Sequence, residues 1–197
     1  MIPLLLASSS PRRKMLLTKY TIPFSIEISD YEEIMEKDVP YQKLAKMLAY
    51  GKAASVAKKH PNENVLILAA DTFVVFEKTY FGKPKSREQA ETMLMKLSGK
   101  VHTVITAFAV IHPQLGKEII QAEESTIQFV KINKEIIKIH LDTHTYLDKA
   151  GGYALFETAH FVEKVTGDRE NIIGLPVREV VKALSIIDNS YARFLHM

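Results

Sequence analysis

Two adjacent arginines, Arg12 and Arg13, stand where helix electrostatics would not favour them. Ser10 is a good N-cap and Pro11 suits the first helical position, so both arginines fall in the first turn of a predicted helix. A helix N-terminus carries about half a positive charge, which makes cations there unfavourable unless an anion occupies the site. The preceding serine hydroxyls would help to bind such an anion. The alternative is that both side chains reach solvent or pair with an acid such as Glu32.

A lysine and an aspartate stand beside apolar residues. Lys52 lies four residues from both Leu48 and Val56, on the apolar stripe of a predicted helix. It either snorkels to water or points into a phosphate-binding cleft. Asp71 directly follows an apolar run over residues 65–70, which predicts a buried strand. Because open α/β sheets bind ligands beyond the carboxyl ends of their strands, Asp71 could hold a metal or a water nucleophile; the alternative is that it caps a turn.

An acidic, non-periodic stretch over residues 30–38 contains Glu33. Such stretches are usually solvated surface, but if this one folds over the same cleft, one of the adjacent glutamates, Glu32 or Glu33, could join Asp71 in holding Mg²⁺. Lys83 follows Gly82 in a predicted tight turn and offers another cation. Neither a P-loop nor a G-x-G-x-x-G motif is present. Phosphate chemistry would therefore use the serine and arginine loop, the lysines and a carboxylate-bound metal.

The composition is that of a globular domain, with 47% hydrophobic and 25% charged residues in a chain of 197. We expect one domain over residues 1–197. A net charge of +3 is too small to predict nucleic-acid binding by itself. The absence of cysteine excludes disulfides, thiolate zinc sites and cysteine catalysis. No apolar run is long enough to span a membrane and no signal peptide is recognisable, so we expect a cytoplasmic protein. Each of the seven histidines is expected to be structural or at the surface.

Caps and hydrophobic periodicity predict an α/β chain with a mixed sheet. The long stretches that are rich in Val, Ile, Thr and Phe should form antiparallel strands. The predicted helices begin at Pro11, Pro40, Ser86, Asn133 and Pro176 and end near Tyr20, His60, Leu97, Leu141 and Ile187. The predicted strands cover residues 2–7, 23–28, 65–70, 73–76, 80–81, 101–111, 118–132 and 161–165.

Seven short motifs occur in order along the chain. They are Leu6–Arg13, Leu48-Ala49 with Lys52-Ala53, Ala70–Thr72, Gly82–Pro84, Leu97–Gly99 with His102, Asp148–Tyr153 and Gly174–Pro176. This ordered set resembles the Maf family of nucleoside triphosphate pyrophosphatases, also called septum-formation inhibitor proteins, over essentially the whole chain. The resemblance implies a strongly twisted mixed α/β sheet with flanking helices, and two lobes around a cleft, similar to inosine-triphosphate pyrophosphatases. It also implies a homodimer.

The resemblance assigns roles to individual positions. Asp71 matches the proton acceptor of the family, and Glu33 with Asp71 would hold Mg²⁺ or Mn²⁺. Arg12 and Thr72 match the type that prefers dTTP and UTP. Phe156 stands where that type has glutamine, in a segment about one residue shorter than usual. The remaining polar positions that line the family's site correspond here to Ser9, Arg13, Lys52 and Lys83.

Three functions remain open from the sequence. The resemblance implies hydrolysis of a nucleoside triphosphate, dTTP, UTP or a modified pyrimidine nucleotide, to the monophosphate and pyrophosphate. Phe156 keeps open a nucleotide-binding regulator of cell division with weak or no hydrolysis. A nucleic-acid-binding module is supported only by the mild basicity. We expect a nucleoside triphosphate as the partner, with neither a nucleic-acid polymer nor a membrane.

Overall fold

A computed structural model describes residues 1–33 and 39–196, in which helices and strands alternate. The helices are α1 (Pro11–Lys19), α2 (Tyr41–Ala57), α3 (Arg87–Leu97), α4 (Lys134–Thr143), α5 (Arg169–Ile173) and α6 (Val177–Ile187). The strands are β1 (Leu4–Leu6), β2 (Ser25–Ile26), β3 (Leu66–Phe76), β4 (Thr79–Phe81), β5 (Val101–His112), β6 (Lys117–Phe129) and β7 (Val162–Thr166). All five predicted helices are therefore confirmed, and the short α5 is an addition.

Two predicted N-caps are confirmed and one is not. The Ser86 hydroxyl accepts a hydrogen bond from the Gln89 amide (3.2 Å), and Asn133 Oδ1 accepts one from the Ile136 amide (2.9 Å). Each bond satisfies an amide that the first turn of a helix leaves without a partner. Ser10 stands at the N-cap of α1, but its side chain makes no capping hydrogen bond. The N-terminus of α1 therefore differs from those of α3 and α4.

The predicted end of a strand at Asp71 is wrong. Residues 66–70 and 73–76 belong to one continuous strand, β3, and Asp71 lies in its interior. The ladder can continue past a buried carboxylate because that carboxylate has a charged partner, described below. Beyond Asp71 the predicted hairpin is confirmed: β3 pairs antiparallel with β4, and the turn residues Glu77 and Lys78 have φ values of 47° and 59°.

The sheet is mixed, as predicted. Its strand order is β2-β1-β3-β5-β6-β7, with β4 beside β3. β1 pairs parallel with both β2 and β3, whereas β6 pairs antiparallel with β7. The predicted strand over residues 23–28 is reduced to the two residues of β2.

The chain divides into two compact units, each with its own core. The first comprises Met1–Asp71, Thr106–Glu123 and the chain from Gly174 onward, and the second comprises Thr72–Ile105 and Glu124–Ile173. The first unit buries the apolar residues of β1 together with stripes of α1, α2 and α6, and the second is centred on Phe129 and Phe161. That the units act as one domain stays a prediction. Within the described part of the chain, no helix is long and apolar enough to cross a membrane.

Candidate active site

A lysine and two carboxylates meet in the first unit. The Lys52 ammonium donates a hydrogen bond to Asp71 Oδ1 and lies 2.7 Å from Glu33 Oε1. The Lys52 and Asp71 side chains are only 15% and 11% exposed, whereas that of Glu33 is 46% exposed. The structure thus brings together three of the residues that the sequence singled out. Asp71 is buried and Lys52 is largely so, whereas the third partner, Glu33, is exposed.

Helix α2 positions Lys52 through its apolar stripe. Leu48 and Val56, one turn before and one turn after it, are fully buried, so Lys52 projects from the same face. The snorkelling alternative is wrong, because the ammonium reaches two carboxylates instead of bulk water. A buried charge needs such partners, since a lysine without them would lose hydration at a cost of several kcal/mol.

Arg13 is held in place by two hydrogen bonds. Its Nη1 donates to the Ser8 hydroxyl (3.0 Å) and its Nε donates to the Gly174 carbonyl (3.0 Å). The Ser8 hydroxyl also accepts a hydrogen bond from the Ser10 amide (3.2 Å). Sequence reasoning treated the serines as possible ligands of an anion and did not predict that Ser8 would orient Arg13. The contact with Gly174 was not predicted either; the sequence marked this residue only as the start of the last of the seven motifs.

The electrostatics of the site centre on Asp71. Burial raises the pKa of the Asp71 carboxyl above its ordinary value, and the charges of Lys52 and Arg13 oppose that rise. Burial also lowers the pKa of Arg13, which the Asp71 charge counteracts. The Arg13 guanidinium nevertheless stays charged at neutral pH, because arginine does not deprotonate in proteins. Asp71 is therefore a buried carboxylate under the field of two cations, with a basicity shifted toward neutral pH.

Ser9 and Arg12 complete the start of α1. Ser9 is exposed and Arg12 is half-buried in the first turn. The turn contains no acidic residue, and the Ser10 side chain does not cap it. Arg12 and Arg13 thus add two cations to the positive N-terminus of the helix, as the sequence predicted. That terminus favours an anionic ligand on electrostatic grounds.

The oxygen donors present suit a hard divalent cation. Glu33 and Asp71 already share one cationic group, the Lys52 ammonium. Mg²⁺ is commonly bound by one or two carboxylates, with waters and substrate phosphates filling its other positions. Among the described residues no group of three or more acidic or histidine side chains is arranged to hold a metal ion. The two carboxylates therefore fit a cation whose remaining positions are filled by water and phosphate oxygens.

Three other predicted site residues, Thr72, Lys83 and Phe156, belong to the second unit. Thr72 is half-buried in β3 and Lys83 is exposed in the loop after β4. The Gly151 amide donates to the Gly82 carbonyl (3.0 Å), which ties that loop to the turn Ala150–Gly152. The predicted loop at Gly151-Gly152 is this short helical turn, with φ values of 70° and 79° that favour glycine.

Phe156 is presented on a closed turn. The Ala154 carbonyl accepts hydrogen bonds from the Glu157 and Thr158 amides (3.0 Å each) and from the Thr158 hydroxyl (2.9 Å). The Phe156 ring, which this turn carries, is 54% exposed, although the neighbouring Leu155 is buried. An exposed ring on a hydrogen-bonded turn can stack on another planar group.

His102 has a structural position, as expected for the histidines. It is buried in the second unit, where its Nε2 lies 2.7 Å from the Tyr153 hydroxyl and its ring packs edge-on against Phe129. Burial lowers the pKa of His102 to about 4 and raises that of Tyr153 well above its ordinary value. Both groups are therefore neutral around pH 7, and the pair anchors the start of the turn that carries Phe156.

The chain resembles known proteins over nearly its full length. A protein of Akkermansia muciniphila named dTTP/UTP pyrophosphatase is 42% identical over 184 residues, which are 93% of this chain and 95% of that protein. One of the same name from Pyrococcus abyssi is 40% identical over 93% of this chain and 95% of that protein. The solved structure of the Ham1 protein from Staphylococcus aureus matches 94% of this chain and 99% of its own, at 14% identity and a TM-score of 0.51. This last likeness shows a shared mixed α/β fold.

The family itself is identified by a sequence profile. The profile described as "Maf-like protein" matches residues 3–187, which include every residue of the site described above. The resemblance stated from the seven motifs is thereby confirmed. The chain belongs to the Maf-like protein family.

Proposed function

We propose that this protein is a nucleoside triphosphate pyrophosphatase. The observation that carries the proposal is the buried Asp71 carboxylate, held beside Lys52 and under the charge of Arg13, in a member of the Maf-like family. The relatives named dTTP/UTP pyrophosphatase support the same reaction class. The products would be a nucleoside monophosphate and pyrophosphate.

The basic residues would bind the triphosphate. Arg12 and Arg13 stand at the N-terminus of α1, where backbone amides and the helix dipole favour phosphate oxygens. Arg13 is oriented by the Ser8 hydroxyl and the Gly174 carbonyl, so little side-chain entropy remains to be lost on binding. The exposed hydroxyl of Ser9 can add a hydrogen bond. Lys83, in the second unit, stays a predicted phosphate contact.

Asp71 would act as the general base. A water oxygen attacks the α-phosphorus, the bond from that phosphorus to the bridging oxygen breaks, and pyrophosphate leaves. The water proton passes to Asp71, whose Oδ1 accepts from Lys52, so Oδ2 would take the proton. A base is most effective when its pKa lies near the working pH, and burial moves Asp71 in that direction.

A divalent cation is part of the proposal. The carboxylates of Glu33 and Asp71 would hold Mg²⁺ or Mn²⁺, which when bound would neutralise phosphate charge and lower the barrier to attack. Lys52 keeps the two carboxylates close together through its contacts with both. The proposal also includes a homodimer and a cytoplasmic location.

The base preference is proposed from residue identity. Arg12 and Thr72 agree with a preference for dTTP and UTP, and Phe156 offers an exposed ring where that type has glutamine. A ring stacks on a base but cannot form the hydrogen bonds of an amide. We therefore propose as the substrate a pyrimidine nucleotide, either dTTP, UTP or one that is modified in its base.

A nucleotide panel tests this function. Pyrophosphate release would be measured for the common and base-modified ribo- and deoxynucleoside triphosphates, with Mg²⁺, with Mn²⁺ and with excess chelator. Metal-dependent release that is fastest with a pyrimidine nucleotide is expected. Tight nucleotide binding without release would instead support the regulator of cell division.

A further inference from the structure

A polar segment of the first unit runs along helix α2. It comprises residues 27–33, which follow β2, and is called here the strap. Its side chains contact α2, or the turn directly after it, at five points. These contacts are Glu27 with His60 (2.7 Å), Ser29 with Ser55 (2.7 Å), Asp30 with Lys59 (3.1 Å), Tyr31 with Gly51, and Glu33 with Lys52 (2.7 Å).

The order of these contacts gives the strap a direction. From Glu27 to Glu33 the partners shift from His60, just beyond the end of α2, back to Lys52. Within α2 itself the partner shifts from Ser55, which contacts Ser29, to Lys52, which contacts Glu33, and these partners are about 5 Å apart along the helix axis at 1.5 Å per residue. The strap therefore runs antiparallel to α2, and its last described residue is the one that reaches the Lys52–Asp71 pair.

Tyr31 packs directly against Gly51. A Cβ atom built at Gly51 would overlap the outer edge of the Tyr31 ring. Gly51 lies in the interior of α2, where glycine is less favourable than alanine. The ring lying directly on the helix backbone accounts for a residue that helix propensity would not select.

We infer that Gly51 and Tyr31 are positioning residues that fix the height and register of the strap on α2 and so deliver the Glu33 carboxylate to Lys52. The hydrogen bonds between Ser29 and Ser55 and between Glu27 and His60 hold the strap upstream of this point. The role of Glu33 in catalysis rests on the proposed function, whereas the packing does not.

A stability cycle tests the packing. Gly51→Ala should lower Tm in the wild-type chain, because the new methyl group displaces the Tyr31 ring. In a Tyr31→Ala background the same change should raise Tm by about 2–4 °C, because only the helix propensity of alanine remains. An equal effect of Gly51→Ala in both backgrounds would overturn the inference.

An activity cycle with Glu33 tests the positioning. Gly51→Ala should lower kcat/KM by about 10- to 100-fold, as expected for a misplaced catalytic group. In a Glu33→Gln background, Gly51→Ala should not lower kcat/KM further. A general loss of folded enzyme would instead lower kcat/KM in both the wild-type and the Glu33→Gln backgrounds. Tyr31→Phe, which keeps the ring, and Tyr50→Phe, which removes only the bond to Glu118, should retain wild-type values. Additive losses from Gly51→Ala and Glu33→Gln would overturn the positioning role.

A binding measurement gives a readout without turnover. Mn²⁺ titrated into the protein, followed by its electron paramagnetic resonance signal, should bind more weakly to Gly51→Ala and to Glu33→Gln by similar factors. Weaker binding to Glu33→Gln alone would contradict the inference. A wild-type chain that releases no pyrophosphate from any nucleotide would refute the proposed function, whereas an active wild type matched by Gly51→Ala would refute the positioning role.

Discussion

Replacing Lys52 with methionine would remove the ammonium that contacts the buried Asp71 carboxylate. Methionine keeps most of the apolar length of the side chain, so the substitution removes the charge with little change of volume. Because Lys52 and Asp71 are 15% and 11% exposed, the loss should resemble that of breaking a buried pair, about 3–5 kcal/mol. The contact with Glu33, which is 46% exposed, should add about 0–1 kcal/mol.

The loss should depend on pH. Burial raises the pKa of Asp71 in the native state above its ordinary value of 3.8. Between the unfolded-state pKa and this raised native pKa, the native state binds more protons than the unfolded state, so stability falls as pH rises through that window. The Lys52 charge opposes that rise, and Lys52→Met should therefore extend the window to higher pH. We expect Tm to fall by about 6–20 °C at about pH 8, and by less at about pH 5, where protonation of Asp71 in the variant is more favourable.

Urea and thermal unfolding at the two pH values would measure this effect. Lys59→Met is the matched control, since its partner Asp30 is 3.1 Å away and both side chains are largely exposed; it should cost less than about 1 kcal/mol. Adding Asp71→Asn to Lys52→Met should restore most of the lost stability, because the uncompensated charge disappears. The reasoning is refuted if Lys52→Met costs no more than Lys59→Met at both pH values.

Three further predictions concern catalysis, specificity and acid stability. Asp71→Asn should lower kcat by about 10²–10⁴-fold in single-nucleotide assays while unfolding stays cooperative; wild-type turnover would rule out Asp71 as the base. Phe156→Gln should change the ratio of kcat/KM between dTTP and base-modified pyrimidine nucleotides by about 10-fold, and an unchanged ratio would show that this ring does not contact the base. His102, with a pKa of about 4, should titrate by ring NMR far below 6.5, and stability should fall as pH falls through that interval, because the unfolded chain binds the proton first; titration near 6.5 would contradict its burial.

Local signals in the sequence predict the elements that carry the site. Ser86 and Asn133 accept hydrogen bonds from their own first turns, which are contacts three residues apart and readable from residue type. Lys52 is similarly predictable, because a stripe at four-residue spacing fixes the face from which it projects. The sequence could thus place Lys52 on the buried face of α2 before its partner was known.

Contacts between distant residues account for what the sequence did not predict. β3 continues through Asp71 because an ammonium 19 residues away compensates its charge. The strap has no hydrophobic period, so its path depends on side-chain pairs with α2 that no local pattern encodes. Ser8 and Gly51 likewise could not be explained from their local sequence. The role of Ser8 depends on its contact with Arg13, and that of Gly51 on its contact with Tyr31. Residue types marked the candidate site, and long-range packing determined its geometry.

Hydrolysis of the preferred nucleotide in ¹⁸O-labelled water tests the central proposal most directly. Attack of water on the α-phosphorus would place the label in the nucleoside monophosphate and leave pyrophosphate unlabelled. The Asp71→Asn variant should lose this labelling. Mass spectrometry of the two products measures both. Label in pyrophosphate, release of orthophosphate in its place, or undiminished labelling by the Asp71→Asn variant would contradict the proposed reaction and the role of Asp71 in it.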